Sequence, residues 1–256
     1  MKRLKEGGFT LIEIAIAIVV IALLLGSLLG PLSVRIEQAD RKKTQELLDE
    51  IKEALYGYAA TTSTLPCPDT DGDGAPNGAP PTTPCTDIEG RLPWQTLGVE
   101  RADAWGYHFR YRVTPEFTAP NIATCDDNAV GTPTDWDGNF DLCDVGDITV
   151  STRDNNKALV PLVTNAPAVI LSHGKNGLGA TRIDGGAMPP TAGGTDEDVN
   201  ADPTETNFMT RTYSFPSTNC DDDTDPALAY CEFDDLVAWL SPNILKNRMI
   251  AAGRLP

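Results

Sequence analysis

A long apolar run near the start of the chain constrains its fold more than any other feature. Residues 9–32 carry one charge, that of Glu13, and follow a leader in which three basic residues outnumber one acid. A helix needs about 20 apolar residues to cross a bilayer, and this run is longer. Because an excess of Lys and Arg keeps a flanking segment in the cytoplasm, we expect one membrane-spanning helix with the rest of the chain on the opposite side.

Glu13 is the unusual residue of this run. A charged side chain within a membrane helix costs about 2.5–3.5 kcal/mol on insertion scales, so such residues are usually retained for a partner or a function. A buried carboxylate also requires a buried cation to offset its desolvation. We therefore expect Glu13 to have a cationic partner. A plain single-pass anchor, in which Glu13 and the preceding glycine pair are incidental, is the simpler alternative.

The residues around Glu13 resemble the N-terminus of type IV pilins and of the pseudopilins of type II secretion. The similarity lies in Gly8, Phe9, Thr10, Leu11, Ile12 and Glu13, followed by the apolar residues 14–32. The resemblance implies that a prepilin peptidase cleaves between Gly8 and Phe9 and methylates the new N-terminal amine of Phe9. Glu13 would then be the fifth residue of the mature chain and would pair with the Phe9 amine of a neighbouring subunit.

The resemblance also implies an α+β, pilin-like fold. In it, a long N-terminal helix with a transmembrane first half and an amphipathic second half packs on an antiparallel sheet with long, disulfide-closed loops. Four segments follow: leader peptide 1–8, transmembrane and filament-core helix 9–32, amphipathic continuation 33–61, and a globular periplasmic or extracellular head 62–256. Apolar residues recur in the continuation at steps of three and four, which indicates one packing face. They are Ile36, Ala39, Leu47, Leu48, Ile51, Leu55 and Tyr58.

The head is predicted to contain several short strands. Alternation and β-branched content favour strands over 107–113, 147–152, 168–172 and 209–215. Asn176-Gly177 predicts a hairpin turn between 168–173 and 178–183. Near the end of the chain we expect helices over 233–240 and 241–252, the second with Ser241 as N-cap, Pro242 in the first turn and Gly253 as terminator.

A second, shorter resemblance occurs at Asp103-Ala104-Trp105-Gly106, before the predicted strand at 107–113. It is similar to the Asp-x-Trp-Gly segment that enters the first strand of major pseudopilins of type II secretion. The alternative is a Trp-Gly turn such as can precede any strand.

The chain has six cysteines, all beyond the apolar run: Cys67, Cys85, Cys125, Cys143, Cys220 and Cys231. Their placement favours disulfides formed in an oxidising compartment. Six cysteines allow about fifteen connectivities, of which we favour sequential pairing because it closes short loops rich in Asp, Gly and Pro. A zinc site has little support, since there is no Cys-x-x-Cys and the two histidines stand apart in sequence.

Asp69, Asp71 and Asp73 stand at alternate positions before Gly74, as at the start of a calcium loop. Position twelve, where a bidentate Glu is expected, is Pro80, so no complete EF-hand is predicted. The resemblance to secretion pseudopilins, which bind calcium in a loop, supports Ca²⁺ as a ligand without placing it here. A solvated acidic turn is the alternative. Competing acidic clusters are Asp196, Asp198, Asn200 and Asp202, and Asp221, Asp222, Asp223 and Asp225.

The formal charge of −17 disfavours attraction to DNA or anionic lipid and suits divalent cations. His108, Arg110 and Arg112 form a basic ladder that could contact nucleic acid, but pairing with the protein's own carboxylates is the stronger expectation. DNA is therefore not an expected partner. Neither Gly-x-Ser-x-Gly nor a Gly-Lys-Ser/Thr phosphate loop occurs, so we do not expect an enzyme.

Three functional hypotheses remain. The first is a filament subunit processed by prepilin peptidase, in the form of a type II secretion pseudopilin or minor pilin. The second is a surface type IV pilin for adhesion, motility or DNA uptake. The third is a membrane-anchored periplasmic binding module. For the first two, the expected partners are other pilin or pseudopilin subunits, the prepilin peptidase, the inner-membrane assembly platform and the membrane itself.

Overall fold

The computed structural model describes residues 10–78, 85–118, 142 and 145–255, with the backbone alone for residues 24–33. The chain divides into two compact units, Met1–Lys42 and Lys43–Pro256. One α-helix, α1 (Leu11–Thr62), contributes residues to both units. The remaining α-helices and strands of the described residues lie in the second unit: β1 (Glu89–Arg91), α2 (Trp94–Leu97), β2 (Arg110–Val113), β3 (Ile148–Arg153), β4 (Leu159–Ala166), β5 (Ala168–Ser172), α3 (Asp196–Ala201), β6 (Asn207–Met209), β7 (Leu236–Trp239) and α4 (Pro242–Ala251).

In the first unit, α1 exposes its apolar side chains. Leu11 is 91% exposed, and Ile12 and Leu23 are each 70% exposed. Within the residues that the structure describes, no helix combines the length and the apolar character needed to cross a membrane.

In the second unit, α1 packs on a sheet through one stripe of side chains. Leu48, Ile51 and Leu55 are at most 1% exposed and share a core cluster with Tyr111. Their spacing of three and four residues places them on one face of the helix, and burying each contributes about 1.5–3 kcal/mol. The helix ends where Ser63 adopts a φ of 70°, a left-handed conformation that does not continue an α-helix.

The sheet beneath α1 has four antiparallel strands in the order β1-β2-β5-β7. Tyr111 on β2 stands opposite Ile170 on β5, and both belong to the core cluster beneath α1. Val169 and Leu171, the alternate residues of β5, belong to a second cluster on the other face. Every residue of β5 is buried, because core covers both faces of this strand.

The second core cluster is closed by a three-stranded sheet in the order β4-β3-β6. Ile148 and Val150 on β3 and Phe208 on β6 are at most 1% exposed and belong to this cluster. Strands β3 and β4 are antiparallel, whereas β3 and β6 are parallel, with Thr149 opposite Asn207. The described head is therefore α+β with an antiparallel principal sheet and a mixed smaller sheet.

The helix predicted over 233–240 is wrong, because this segment contains the strand β7. Its apolar residues fit the spacing of a helix, yet Val237 pairs with Leu171 of β5, and Trp239 pairs with Val169. A strand covered on both faces is a continuous apolar run, which periodicity does not distinguish from a buried helix. The following helix α4 is confirmed, with Pro242 at its first position and Gly253 at a φ of 68° beyond its end.

The hairpin predicted around Asn176-Gly177 is only partly correct. Gly177 does turn the chain, at a φ of 62°. The segment after it does not pair with β5, and in the described chain it forms only isolated bridges, such as that of Arg182 with Tyr107. The neighbours of β5 are β2 and β7 instead.

Two of the three predicted disulfides are present in the described residues. Cys67 bonds to Cys85, and Cys220 bonds to Cys231, with sequence separations of 18 and 11. Sequential pairing is therefore confirmed for these four cysteines. The predicted bond between Cys125 and Cys143 lies outside the described residues.

Candidate functional site

The Asp103 turn joins α1, β2 and β5. Oδ1 of Asp103 accepts hydrogen bonds from the backbone N–H of Trp105 at 3.0 Å and of Tyr107 at 2.9 Å. Oδ2 accepts one from the Ser172 hydroxyl at 2.7 Å. The backbone N–H of Ala104 donates to Oγ1 of Thr44 on α1 at 3.2 Å. The Asp-x-Trp-Gly segment thus forms a turn around the buried Asp103 carboxylate, and the turn connects the helix to the sheet.

The predicted calcium residues Asp69, Asp71 and Asp73 come together, each with a carboxylate oxygen within 4.8 Å of the others. Asp69 is fully buried and accepts hydrogen bonds from the backbone N–H of Gly72 and of Gly74. Asp71 and Asp73 are exposed. A hydrogen bond from the Asn77 amide is the largest cause that lowers the pKa of the Asp71 carboxyl.

These residues are chemically suited to calcium, which takes six to eight oxygen ligands. Each carboxylate has lone pairs beyond those its hydrogen bonds use, so the three could supply ligands together. Pro80 lies outside the described residues. Calcium binding at this loop stays a prediction.

Two acids of the competing clusters, Asp196 and Asp222, form ion pairs with arginines of the protein. Asp196 is buried and forms 2.7 Å ion pairs with both Arg153 and Arg211. Arg211 also pairs with Asp222 at 3.1 Å, and Asp222 accepts the backbone N–H of Cys231. This network links the loop closed by the Cys220–Cys231 disulfide to β3. Its two acids are neutralised by arginines, which fits a structural role.

The basic ladder on β2 pairs with the protein's own carboxylates, as expected. Arg110 donates to Glu89 at 2.6 Å and to the backbone oxygen of Asp202 at 2.6 Å. Arg112 donates to the second oxygen of Glu89 at 3.3 Å. The side chains of Arg110 and Arg112 are only 12% and 5% exposed, so they present little positive surface to nucleic acid.

Both histidines line one cleft of about 410 Å³, which Arg91 also borders. His108 is 5% exposed and His173 is 2% exposed. Burial lowers the pKa of His173 to about 3, and burial, together with the charges of Arg101 and Arg91, lowers the pKa of His108. Both imidazoles are therefore neutral at pH 7.

The sequence interpretation missed a second group of acids. Glu197, Asp234 and Asp235 are all buried, each with a carboxylate oxygen within 4.8 Å of the other two. Glu197 was absent from the predicted clusters, and the other two were passed over within the supposed helix 233–240. Two adjacent acids within an apolar run could have indicated this cluster, because such a run predicts burial and acids are rarely buried without a partner.

The N-terminal site is organised by the first turn of α1. Thr10 accepts the backbone N–H of Glu13 with both its hydroxyl, at 3.3 Å, and its carbonyl oxygen, at 3.1 Å. This capping holds Glu13 at the start of the helix among exposed apolar residues such as Leu11 and Ile12. Gly8 and Phe9, the predicted cleavage residues, lie outside the described residues.

Residues 3–29 match the family model of the prokaryotic N-terminal methylation motif. The chain carries a class III prepilin motif. This motif belongs to type IV pilins and pseudopilins, so the predicted resemblance is confirmed. It includes Gly8, Phe9 and Glu13, and it implies prepilin peptidase and pilin subunits as partners in general terms. Comparisons with curated proteins and with solved structures found no match.

Proposed function

We propose that this chain is a structural subunit of a type IV pilus-like filament. Prepilin peptidase cleaves it between Gly8 and Phe9 and methylates Phe9, and residues 9–32 hold it in the inner membrane until assembly, with the head in the periplasm. The observation that carries this proposal is the methylation-motif match over residues 3–29, with Glu13 inside it. In support, α1 begins with exposed apolar side chains that a membrane or neighbouring subunits would cover.

Glu13 directs assembly in this proposal. A carboxylate packed among apolar helices requires a cation, and cleavage creates one at the amine of Phe9. The pair forms between subunits, as the resemblance to type IV pilins implies. Processing and assembly are thereby coupled, since an uncleaved chain lacks the amine.

Within this class, we favour a type II secretion pseudopilin or minor pilin. The Asp103 turn supports it, because the Asp-x-Trp-Gly segment resembles the pseudopilin pattern and its hydrogen bonds connect α1, the entry to β2 and the end of β5. A surface pilin for adhesion, motility or DNA uptake is the second candidate. The loop closed by Cys220 and Cys231 favours it, since a disulfide-closed loop near the C-terminus can present a rigid binding surface.

The decisive experiment is mass spectrometry of filaments sheared from the cell surface and of pseudopilus preparations from the periplasm. The expected result is this chain with N-methyl-Phe9 as its first residue. Deleting the gene then separates the two candidates: a secretion defect identifies a pseudopilin, whereas a loss of surface pili or of twitching identifies a pilin. Absence of the chain from every filament, with the leader still attached, would refute the proposal.

A further inference from the structure

The cleft that both histidines line lies where several segments of the head meet. Arg91 ends β1, His108 lies just before β2, and His173 directly follows β5. Thr181 accepts the backbone N–H of His108, and Ala201 at the end of α3 borders the same space. The cleft has a volume of about 410 Å³, and small-molecule sites measure about 300–1,000 Å³. It is therefore large enough for a molecule the size of an amino acid or a dipeptide.

The acids that line the cleft are already engaged by the protein. Glu89 accepts hydrogen bonds from Arg110 at 2.6 Å and from Arg112 at 3.3 Å. Asp69 accepts two backbone N–H groups of its own loop. These two are the acids of the cleft within the part of the chain that the structure describes. The ionisable groups that remain to contact a ligand are the guanidinium of Arg91 and the two imidazoles.

Arg91 has no acidic partner among the described residues. Its guanidinium forms no ion pair, and its side-chain hydrogen bond goes to the carbonyl oxygen of Thr70 at 3.5 Å, which is longer than usual. Arg110, which also lines the cleft, is paired with Glu89 instead. A guanidinium has five donors in a planar fork that matches a carboxylate. Arg91 can therefore receive the carboxylate of a ligand without losing an ion pair of its own.

The two histidines lie in a positive local field. Burial is the largest cause that lowers the pKa of each imidazole, and the charges of arginines come next. The charge of Arg110 acts on His173. The charges of Arg101 and Arg91 act on His108, each with a larger effect than the acid that opposes them. The whole chain has a formal charge of −17, so this positive field is a local feature, and it favours an anionic ligand.

His173 also has unused hydrogen-bonding capacity. Its Nδ1 is buried and has no hydrogen-bond partner among the described residues. Oδ1 of Asp235 lies 3.9 Å away, which is too far for a hydrogen bond. Since nearly all buried polar atoms of native proteins are satisfied, an unsatisfied imidazole in the wall of a cleft fits a site whose hydrogen bonds a ligand completes.

We propose that this cleft binds a small organic carboxylate. The carboxylate pairs with Arg91 through charge-assisted hydrogen bonds. The imidazoles of His108 and His173, each of which can donate or accept a hydrogen bond, hold the other polar groups of the ligand. This binding does not depend on the filament function, because every group that it uses belongs to the head of one chain.

A titration followed by nuclear magnetic resonance tests the proposal. The full-length chain in detergent, with its two histidines labelled with ¹⁵N, is titrated with succinate, a free acid, and with diglycine, which carries a peptide C-terminus. We expect one or both to shift the ring signals saturably, with half-saturation at about 1 mM or below. The tighter of the two shows whether a free acid or a peptide end is preferred.

The matched amides, succinamide and diglycinamide, are the controls in the same wild-type sample. They have nearly the same shape and lack the carboxylate, so we expect no saturable shift. Sodium chloride at equal ionic strength controls for screening. No saturable shift with either acid, or equal shifts with acid and amide, overturns the proposal without reliance on a variant.

Arg91→Gln tests the assigned residue. We expect binding at least about tenfold weaker, because the charge-assisted hydrogen bonds to the carboxylate are lost. Arg248→Gln is the matched control, because this arginine is 49% exposed, pairs with Glu53 and lies outside the cleft. It should bind as the wild type does. Ring signals without ligand show whether Arg91→Gln keeps the wild-type cleft, and equal affinity in Arg91→Gln and the wild type overturns the proposal.

Discussion

The hydroxyl of Ser172 donates a 2.7 Å hydrogen bond to Oδ2 of Asp103, joining two residues 69 positions apart. Ser172 is the last residue of β5, and Asp103 begins the turn that leads into β2. Both side chains are buried, at 0% and 7% exposure. One carboxylate therefore links the central strand of the sheet to the turn that contacts Thr44 of α1, and this position explains why the turn holds its shape.

The stability that Asp103 contributes should depend on pH. Burial is the largest cause that raises the pKa of this carboxyl above its usual 3.8. The folded state therefore binds the proton more tightly than the unfolded state does. The resulting stabilisation is complete below about pH 3.8 and is lost as the pH rises through the folded pKa. We expect the unfolding free energy of the wild type, relative to Asp103→Asn, to fall across that window in urea titrations. A difference in unfolding free energy between the wild type and Asp103→Asn that does not change with pH would contradict this prediction. Asp184→Asn is the control, because the side chain of Asp184 is 61% exposed.

Gly177→Ala should be markedly destabilising. Gly177 has a φ of 62°, and a Cβ would lie 2.4 Å from Cζ of Tyr107. Gly98 has a φ of 69° with no described atom within 4 Å of its Cβ position, so Gly98→Ala isolates the backbone cost. Thermal or denaturant unfolding should show Gly177→Ala to be less stable than Gly98→Ala by about 1–3 kcal/mol. Equal losses would show that Tyr107 moves aside freely.

Removing the Cys220–Cys231 disulfide should cost about 3 kcal/mol of unfolding free energy, because the bond restricts a short loop in the unfolded chain. The double variant Cys220→Ser/Cys231→Ser, unfolded in guanidinium without reductant, measures this. Cys67→Ser/Cys85→Ser is the matched comparison, since its separation of 18 predicts a loss of similar size. An unchanged denaturation midpoint would mean that the Arg211 network alone holds the loop.

Calcium should stabilise the head if the loop at Asp69 binds it. An ion that binds only the folded state adds about 2.7 kcal/mol at a hundred times its dissociation constant. We expect the melting temperature of the wild type to rise with added Ca²⁺ and fall with chelator, and Asp71→Asn/Asp73→Asn to lose this response. Identical melting curves with Ca²⁺ and with chelator would rule the site out. Asp235→Asn is the control that should keep the calcium response.

Glu13→Gln should separate membrane insertion from assembly. The variant keeps the size of the side chain and loses its charge, so insertion, cleavage and methylation of Phe9 should continue. Assembly should fail, because removing one partner of a buried ion pair costs about 3–5 kcal/mol. Membrane fractionation with mass spectrometry measures the first part, and immunoblots of sheared filaments measure the second. If Glu13→Gln gave as much filament as the wild type, assembly would not require the Glu13 carboxylate. Glu50→Gln, a change at an exposed residue of the same helix, is the control.

The strand predictions succeed unevenly, since the strand predicted over 209–215 overlaps β6 only at Met209. The prediction for 168–172 coincides with β5, a compact β-branched and apolar run, and α4 was predicted from its Pro242 and Gly253 signals. The prediction failed for β7, since its apolar residues also fit a helix. The choice between them depended on the pairing of Val237 with Leu171, residues 66 positions apart. Local spacing carries no information about such a partner.

The sequence by itself determined the features that depend on neighbours along the chain. These are the methylation motif with Gly8, Phe9 and Glu13, the helical face of α1 and the short disulfide loops. Each of them depends on residues that lie close together in the sequence. Only the tertiary structure placed His173 against Asp235 and Ser172 against Asp103. Their partners come from distant segments, and it is the register of β5 with its neighbours, fixed by burial on both faces of the sheet, that brings them together.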